Sequence, residues 1–476
     1  MTCNLHEIIR RYTLPVARQN DPVIHFLPKY YDRLLKELTD STEAGFDDFP
    51  GPFYQKLEAD IIPKMKDQCR LIAEVLEFDQ ARQYGKKFEK FDELMQMLRQ
   101  YGALRYISTG DNTALVRIRK GEGPYERKNL FHIPYHLRAS ASAQRFSIPG
   151  TPALYLSIYP GIKLLSEDAP ELSWIECGMP RVYHVCLFQP QQKLNFLHLA
   201  KKGTIYLWEY DNANCEERKE DRMEAIEQYL LTLPLRIACF IGIEDRFSGS
   251  SVYYYEEYVI SQLLTEWIQQ STRFDGLAYQ SASMISDAAN HDSYNVVIPT
   301  GDFDADNGYD KRLTKIFKLS EPEKINISER MKGVEDKISE VYKYTKKLKA
   351  ILAISNASGR HPYRRLAALC DSFCSIHTVL KNGKGSSIAF PFQQLDTLCQ
   401  ISILLSTSIS NVRSADEWIR LHKGYEGDTT LTENDAQIIL EGFCNASLEF
   451  QVLRNALYPK LTETGVFGRS DYQFIV

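Results

Sequence analysis

Apolar residues recur every three or four positions through "PFYQKLEADIIPKMKDQCRLIAEVLEFD" (52–79) and again through "FDELMQMLRQYG" (91–102). That spacing gives an α-helix one buried face. Pro63 interrupts the first run and predicts a break or kink, and Gly102 stands where a helix C-cap belongs. Residues 1–105 are expected to form a helical N-terminal region. The period then changes. "LRYIS", "ALVRIR", "PALYLSIY", "VYHVCLF", "RIACFIGI" and "YNVVIP" are short, rich in β-branched and aromatic residues, and bounded by Gly, Pro, Asn or Asp. Each reads as a strand, with "IACFIGI" a continuously apolar, buried one. Between them, "CEERKEDRMEAIEQYLLTL" and "YYYEEYVISQLLTEWIQQ" read as helices.

From about residue 325 the helical period returns. "SERMKGVEDKISEVYKYTKKLKAIL" sets Met331, Val334, Ile338, Val341, Leu348 and Leu352 on or near one face, and two further helical patterns follow. The expected class is α+β: a mixed α/β region over 106–322 between helical flanks at 1–105 and 323–476. No internal repeat or long low-complexity linker separates the three.

Composition narrows the function. The 476 residues are 44% hydrophobic and 12% aromatic, as in a globular chain, and a net charge of −5 supplies no field for nucleic acid or anionic membrane. The most apolar stretch, "LLTLPLRIACFIGIE", is broken by Pro234 and Arg236 and falls short of a membrane span. The amino terminus has an early glutamate and no apolar signal core, so a cytoplasmic location is expected. Ten scattered cysteines fit reduced thiols; Cys370 and Cys374 stand one helical turn apart but have no second pair, and no metal is expected. "DFDADNGYD" (302–310) misplaces the glycine of a calcium loop and has Leu313 at the twelfth position, so it reads as an acidic surface loop. His132 and His136 are four apart, but the intervening proline opposes a shared helix face. An RNA-cutting HEPN flank would need an arginine and a histidine four to six residues apart. Arg365 and His377 are too distant for it, and Arg420 and His422 too close.

The candidate chemistry lies in the middle region: Arg117 and Arg119 in "LVRIRKGE", Arg145 in "QRFSIPGTPALYLS", Tyr155 on the strand that follows, Glu176 in "SWIECGMP" and Ser281 in "AYQSAS". Guanidinium forks, a phenol ring and a carboxylate suit a ligand with phosphates, an aromatic ring and a sugar hydroxyl. Singly, each has an ordinary reading, a solvated arginine or a core tyrosine. Together, "LVRIRKGEGPYERKNLFHIPYHLRASASAQRFSIPGTPALYLS", "WIECGMP", "EEYVISQLLTEWIQQSTRFDGLAYQSAS" and "NVVIP" resemble the RES domain family over roughly residues 112–300. That family includes NAD-consuming bacterial toxins with a fold related to the ADP-ribosyltransferase toxins, and its longer members carry a helical N-terminal extension.

The resemblance implies roles residue by residue. Arg117 matches the family arginine, with Arg119 the weaker claimant, and Arg145 matches a second arginine in the turn. Tyr155 matches the tyrosine that would pack on nicotinamide, Glu176 the family glutamate and Ser281 the serine. It implies NAD+ as substrate rather than as a cofactor, and cleavage of the nicotinamide–ribose bond through an oxocarbenium-like state. The acceptor, whether water, phosphate or a protein side chain, stays open, and with it the choice between glycohydrolase, phosphorylase and ADP-ribosyltransferase. A toxin or antiphage-defence effector is implied, with the flanks restraining it, meeting a neutralising protein partner or joining a second copy through the long helix at 327–352. Two departures leave a catalytically silent interaction protein as the alternative. An insertion precedes the glutamate, which makes Glu167 and Glu171 rival candidates to Glu176, and Ser157 stands where the family has a small glycine.

Overall fold

The computed structural model describes residues 3–18, 21–110, 113, 115–158, 169–178, 180–242, 254–280, 294–328, 332, 336 and 473–474. Their class is α+β. The strands are β1 (Tyr106–Ser108), β2 (Leu115–Lys120), β3 (Ala153–Ile158), β4 (Val182–Pro190), β5 (Asn195–His198), β6 (Gly276–Tyr279), β7 (Tyr294–Pro299), β8 (Phe317–Leu319), β9 (Glu323–Asn326) and β10 (Gln473–Phe474). They form one sheet in the order β1-β5-β6-β7-β3-β2-β4-β8-β10, with β9 also on β4. Every pairing is antiparallel except β5 with β6.

The helices are α1 (Leu5–Arg11), α2 (Val23–Ala44), α3 (Gly51–Lys56), α4 (Ile62–Gln80), α5 (Tyr84–Gln100), α6 (Ala169–Glu176), α7 (Gly203–Asp211), α8 (Glu216–Cys239), α9 (Val259–Gln269) and α10 (Lys311–Ile316). The interruption expected at Pro63 is a π-helical turn, Leu57–Ile61, that joins α3 to α4 just before Pro63, which has no N–H to donate to that turn. Gly102 ends the α5 region at φ +67, the left-handed conformation a glycine reaches without strain. Helices α1–α5 do not stand apart from the sheet: one core runs from Leu5, Leu34 and Ile72 through Ile226 and Leu264 to Leu277 and Val297. The other sheet face packs a second core around Leu115, Leu156, Phe188 and Val296.

One expected strand is a helix. "RIACFIGI" continues α8 as far as Cys239, and among its described residues only Ile241 takes an extended pairing, with Val16. A continuously apolar run has no period to distinguish a strand from a helix buried all round, and α8 is buried from Tyr229 to Cys239. Pro234 sits inside this helix, and the carbonyl of Pro234 accepts the Tyr31 hydroxyl at 2.8 Å. Arg236, apparently a misfit in an apolar run, is 3% exposed. Its guanidinium donates to the carbonyls of His198, Leu199 and Lys201 at and just past the end of β5.

The acidic stretch at 302–310 is a turn closed by Asp304, which accepts the amides of Asp306 and Asn307, while Asp310 caps α10. His132 is buried and accepts the Asp310 amide at 3.0 Å, so it is a structural group. Among the described residues no helix is long and apolar enough to cross a membrane. The helix expected at 327–352 falls almost wholly outside the described residues. Cys370, Cys374, Arg365, His377, Arg420 and His422 lie outside them too.

The N-terminal segment reaches the centre of the fold. Val16 bridges to Phe240 and Gly242 by main-chain hydrogen bonds, and Arg18 pairs with Glu256 and, at 2.7 Å, with Glu257. Arg18 and Glu257 are both about 5% exposed or less. Removing one partner of a buried pair leaves the other charge uncompensated. Arg18→Met is therefore expected to lower unfolding stability by about 3 kcal/mol, read as a shift of the urea midpoint; a midpoint unchanged within error would show that the pair contributes nothing net.

Candidate functional site

Among the described residues, strands β2 and β3 pair at only two positions, Leu115↔Ile158 and Val116↔Ser157. Beyond that point they part, and a cavity of about 570 Å³ opens there, lined by Arg117 and Ile118 of β2 and by Tyr155 and Leu156 of β3. Parting two strands strands backbone groups that a ladder would have satisfied. Helix α6 supplies substitutes: Ser173 Oγ lies 3.1 Å from the Val116 carbonyl, and Cys177 Sγ, just past the helix end, lies 3.1 Å from the Ile118 carbonyl. Residues 173 and 177 are one helical turn apart and the carbonyls two residues apart along the strand, so the two periods mesh.

The same helix carries Glu176 to the cavity. Its Oε1 accepts the Asn295 side-chain amide at 2.8 Å, and Asn295 Oδ1 accepts the Ser157 hydroxyl at 3.0 Å. Ser157 Oγ in turn lies 2.8 Å from Ser173 Oγ. Register explains the row, because Val116 faces Ser157 across β2–β3 and Ser157 faces Asn295 across β3–β7. Tyr279 of β6 faces Asn295 in the next rung and also lines the cavity.

Arg117, Arg145, Tyr155 and Glu176 thus meet around one cavity. Their environments differ. Nη1 of Arg117 is buried and has no hydrogen-bond partner among the described residues. Burial pushes its guanidinium down to about 10, outweighing the pull of the Cys177 and Cys186 sulfurs. Arg145 is already engaged. Nη1 donates to the Cys239 carbonyl and Nη2 to that of Ile241, both at 2.9 Å, and the guanidinium lies 5.0 Å over the Tyr258 ring. The expectation that this turn presents Arg145 to an anion is met only in location, since two of its donors close the C-terminal end of α8. The Tyr155 hydroxyl donates to Ser147 Oγ at 3.1 Å, and burial raises its ionisation well above the ordinary range.

Arg119 does not join them. It projects to solvent, stacks 4.6 Å over Tyr125 and donates to the Asn129 carbonyl. The rival glutamates are not comparable: Glu167 and the side chain of Glu171 lie outside the described residues, as does Ser281. Sequence reasoning missed Asn295 and Ser173 as site residues. The only trace of Asn295 was its place at the head of "NVVIP", and nothing in "LSWIE" marked Ser173 as more than a helix position.

Chemically, the cavity offers a guanidinium with one unpartnered nitrogen among the described residues, aromatic rings from Phe146, Tyr155, Tyr258 and Tyr279, and a carboxylate anchored through an amide. That combination suits a ligand with an anionic group, a flat ring and hydroxyls. The fold and site define an α+β protein with a cavity at a split in its sheet. The chain is 27% identical over 207 residues to the Bacillus subtilis (strain 168) protein named "Putative toxin YopC", a match covering 42% of this chain and 43% of that protein. The chain therefore spans less than half the length of this relative. No protein-family model matches the chain, and no solved structure matches it.

An uncompensated buried cation costs folding energy until a counter-ion arrives. Since the Arg117 guanidinium is held below its free value, that cost is present in full below about pH 10 and is relieved only above it. Arg117→Met is expected to stabilise the unliganded protein by about 1 kcal/mol or more in denaturant melts, and to abolish stabilisation by inorganic pyrophosphate. A loss of stability that is equal with and without the anion would show that the guanidinium is a structural group.

Proposed function

We propose that the cavity binds NAD+ and that the protein breaks the nicotinamide–ribose bond, acting as a toxin or defence effector through NAD+ consumption. One observation carries this reading: Arg117, whose buried Nη1 has no partner among the described residues, shares a cavity with an anchored carboxylate, Glu176. The RES-like motifs and the distant similarity to a protein named as a toxin support it. Arg117 would neutralise the pyrophosphate, and the aromatic wall with Tyr155 would face the nicotinamide ring. The Glu176 carboxylate would oppose the positive charge that develops on the ribose as the bond lengthens, and would accept from a ribose hydroxyl. Nicotinamide leaves as a neutral base from a cationic pyridinium, so the step needs no strong general acid. Water as acceptor gives ADP-ribose, phosphate gives ADP-ribose-1″-phosphate, and a protein side chain gives ADP-ribosylation.

Nicotinamide release from NAD+ by the purified protein, with and without phosphate, tests the reading. Turnover is expected in the intact chain, with Arg117→Ala and Glu176→Gln each reducing it by about 100-fold or more while remaining folded. Phosphate-dependent turnover would identify the acceptor. Failure of the folded intact chain both to bind NAD+ and to release nicotinamide would overturn the proposal in favour of an interaction protein.

A further inference from the structure

We infer that Asn295 and Ser157 are positioning residues that hold the Glu176 carboxylate in its working orientation, and that the serine at 157 supplies a contact which a glycine there would lack. The inference deepens the NAD+-cleaving reading and rests on it only for its kinetic consequences.

Four polar side chains from three elements lie in one line: Ser173 on α6, Ser157 on β3, Asn295 on β7 and Glu176 back on α6. The distances between successive members are 2.8, 3.0 and 2.8 Å. Ser157, Ser173 and Asn295 are each less than a tenth exposed, so water is a poor substitute for any of them. Proton bookkeeping sets the direction. A hydroxyl has one proton and can accept through its lone pairs. Ser173 has one proton for two acceptors, the Val116 carbonyl at 3.1 Å and Ser157 Oγ at 2.8 Å, and the Ser157 proton goes to Asn295 Oδ1. That orients the amide so that Nδ2 meets Glu176 Oε1. The reversed amide would set Oδ1 against a carboxylate oxygen with no proton between them. The chain begins and ends on the same short helix, so it also ties the position of α6 on the sheet to the orientation of its last residue.

A neutral donor in a buried row is the group that favours an ionised carboxylate, and an acid in its place would disfavour one. Asn295→Asp is isosteric and replaces that donor with a second carboxyl. It should raise the acid limb of the kcat profile by about one pH unit or more. Asn295→Ala should lower kcat by about 10-fold to 100-fold with KM within about twofold, the loss of one charge-assisted hydrogen bond. Ser157→Ala should cost about fivefold in kcat, again with KM retained, because it removes a neutral bond one step further away.

The decisive readout needs no turnover. In protein labelled with ¹³C at glutamate carboxyls, the Glu176 resonance is assigned from its absence in Glu176→Gln and titrated in the intact chain, Asn295→Asp and Ser157→Ala. A midpoint that rises in Asn295→Asp, with Ser157→Ala folded and its Glu176 chemical shift moved, establishes the positioning role. An unchanged Glu176 titration in folded Asn295→Asp overturns it, whatever the enzyme does. An intact chain that releases no nicotinamide yet shows the titration shift would count against the NAD+ reading and leave the positioning of Glu176 established.

Discussion

The parting of β2 from β3 after two rungs is the constraint on which the site depends. A sheet interior that opens leaves N–H and C=O groups with neither ladder nor water, and each must find a partner. Helix α6 fills the gap with Ser173 and Cys177 against the carbonyls of Val116 and Ile118. Once the helix is docked by those two contacts, its geometry leaves little freedom for Glu176 between them. The cavity and its carboxylate are in this sense one solution to one backbone problem, and the space that the parted strands vacate is the space a ligand would enter.

Three part-buried or buried arginines differ in what meets their donors. Arg236 is closed in by the carbonyls at and just past the end of β5, and Arg145 by the carbonyls at the end of α8. Both are compensated by backbone dipoles, which makes them joints between elements. Arg117 alone of the three leaves a buried donor without a partner among the described residues. The joints also explain why the helical N-terminal region shares a core with the sheet. The Val16 bridge and the pairing of Arg18 with Glu256 and Glu257 hold the ends of the segment from Gly242 to Tyr258. Gly242 and Tyr258 both line the cavity, so one wall of the site is fastened by residues more than two hundred positions earlier in the chain.

Much of the fold was legible in the sequence because the relevant signals are local. The strands around Val116, Tyr155, Val185 and Val297 have the alternation or apolar density of their type, and Gly102 marks its helix end by an identity that few residues could replace. The end of α8, Pro234–Cys239, was not legible, because "IACFIGI" is continuously apolar and carries no period that separates a strand from a buried helix. In the site, Arg117, Arg145, Tyr155 and Glu176 could be gathered by motif order. What the sequence could not convey was which arginine would be left unpaired, since that depends on where carbonyls from residues 239 and 241 arrive in space. Asn295 and Ser173 were invisible for the same reason: their roles come from register across β3 and β7 and from the docking of α6, and neither leaves a spacing in the chain.

Ser157 shows how a departure from a motif changes meaning once its neighbours are known. Beside a ligand cleft, a serine in place of a glycine reads as a narrowing and as a sign of lost function. In the sheet, however, Ser157 occupies the rung between Val116 and Asn295, with Ser173 above it. A glycine there would leave Asn295 Oδ1 without that donor in a buried row, and the amide that meets Glu176 would lose the contact that sets its orientation. The hydroxyl therefore satisfies the Asn295 amide oxygen across the β3–β7 rung. Ser157 is thereby linked through Asn295 to the Glu176 carboxylate at the split between two strands.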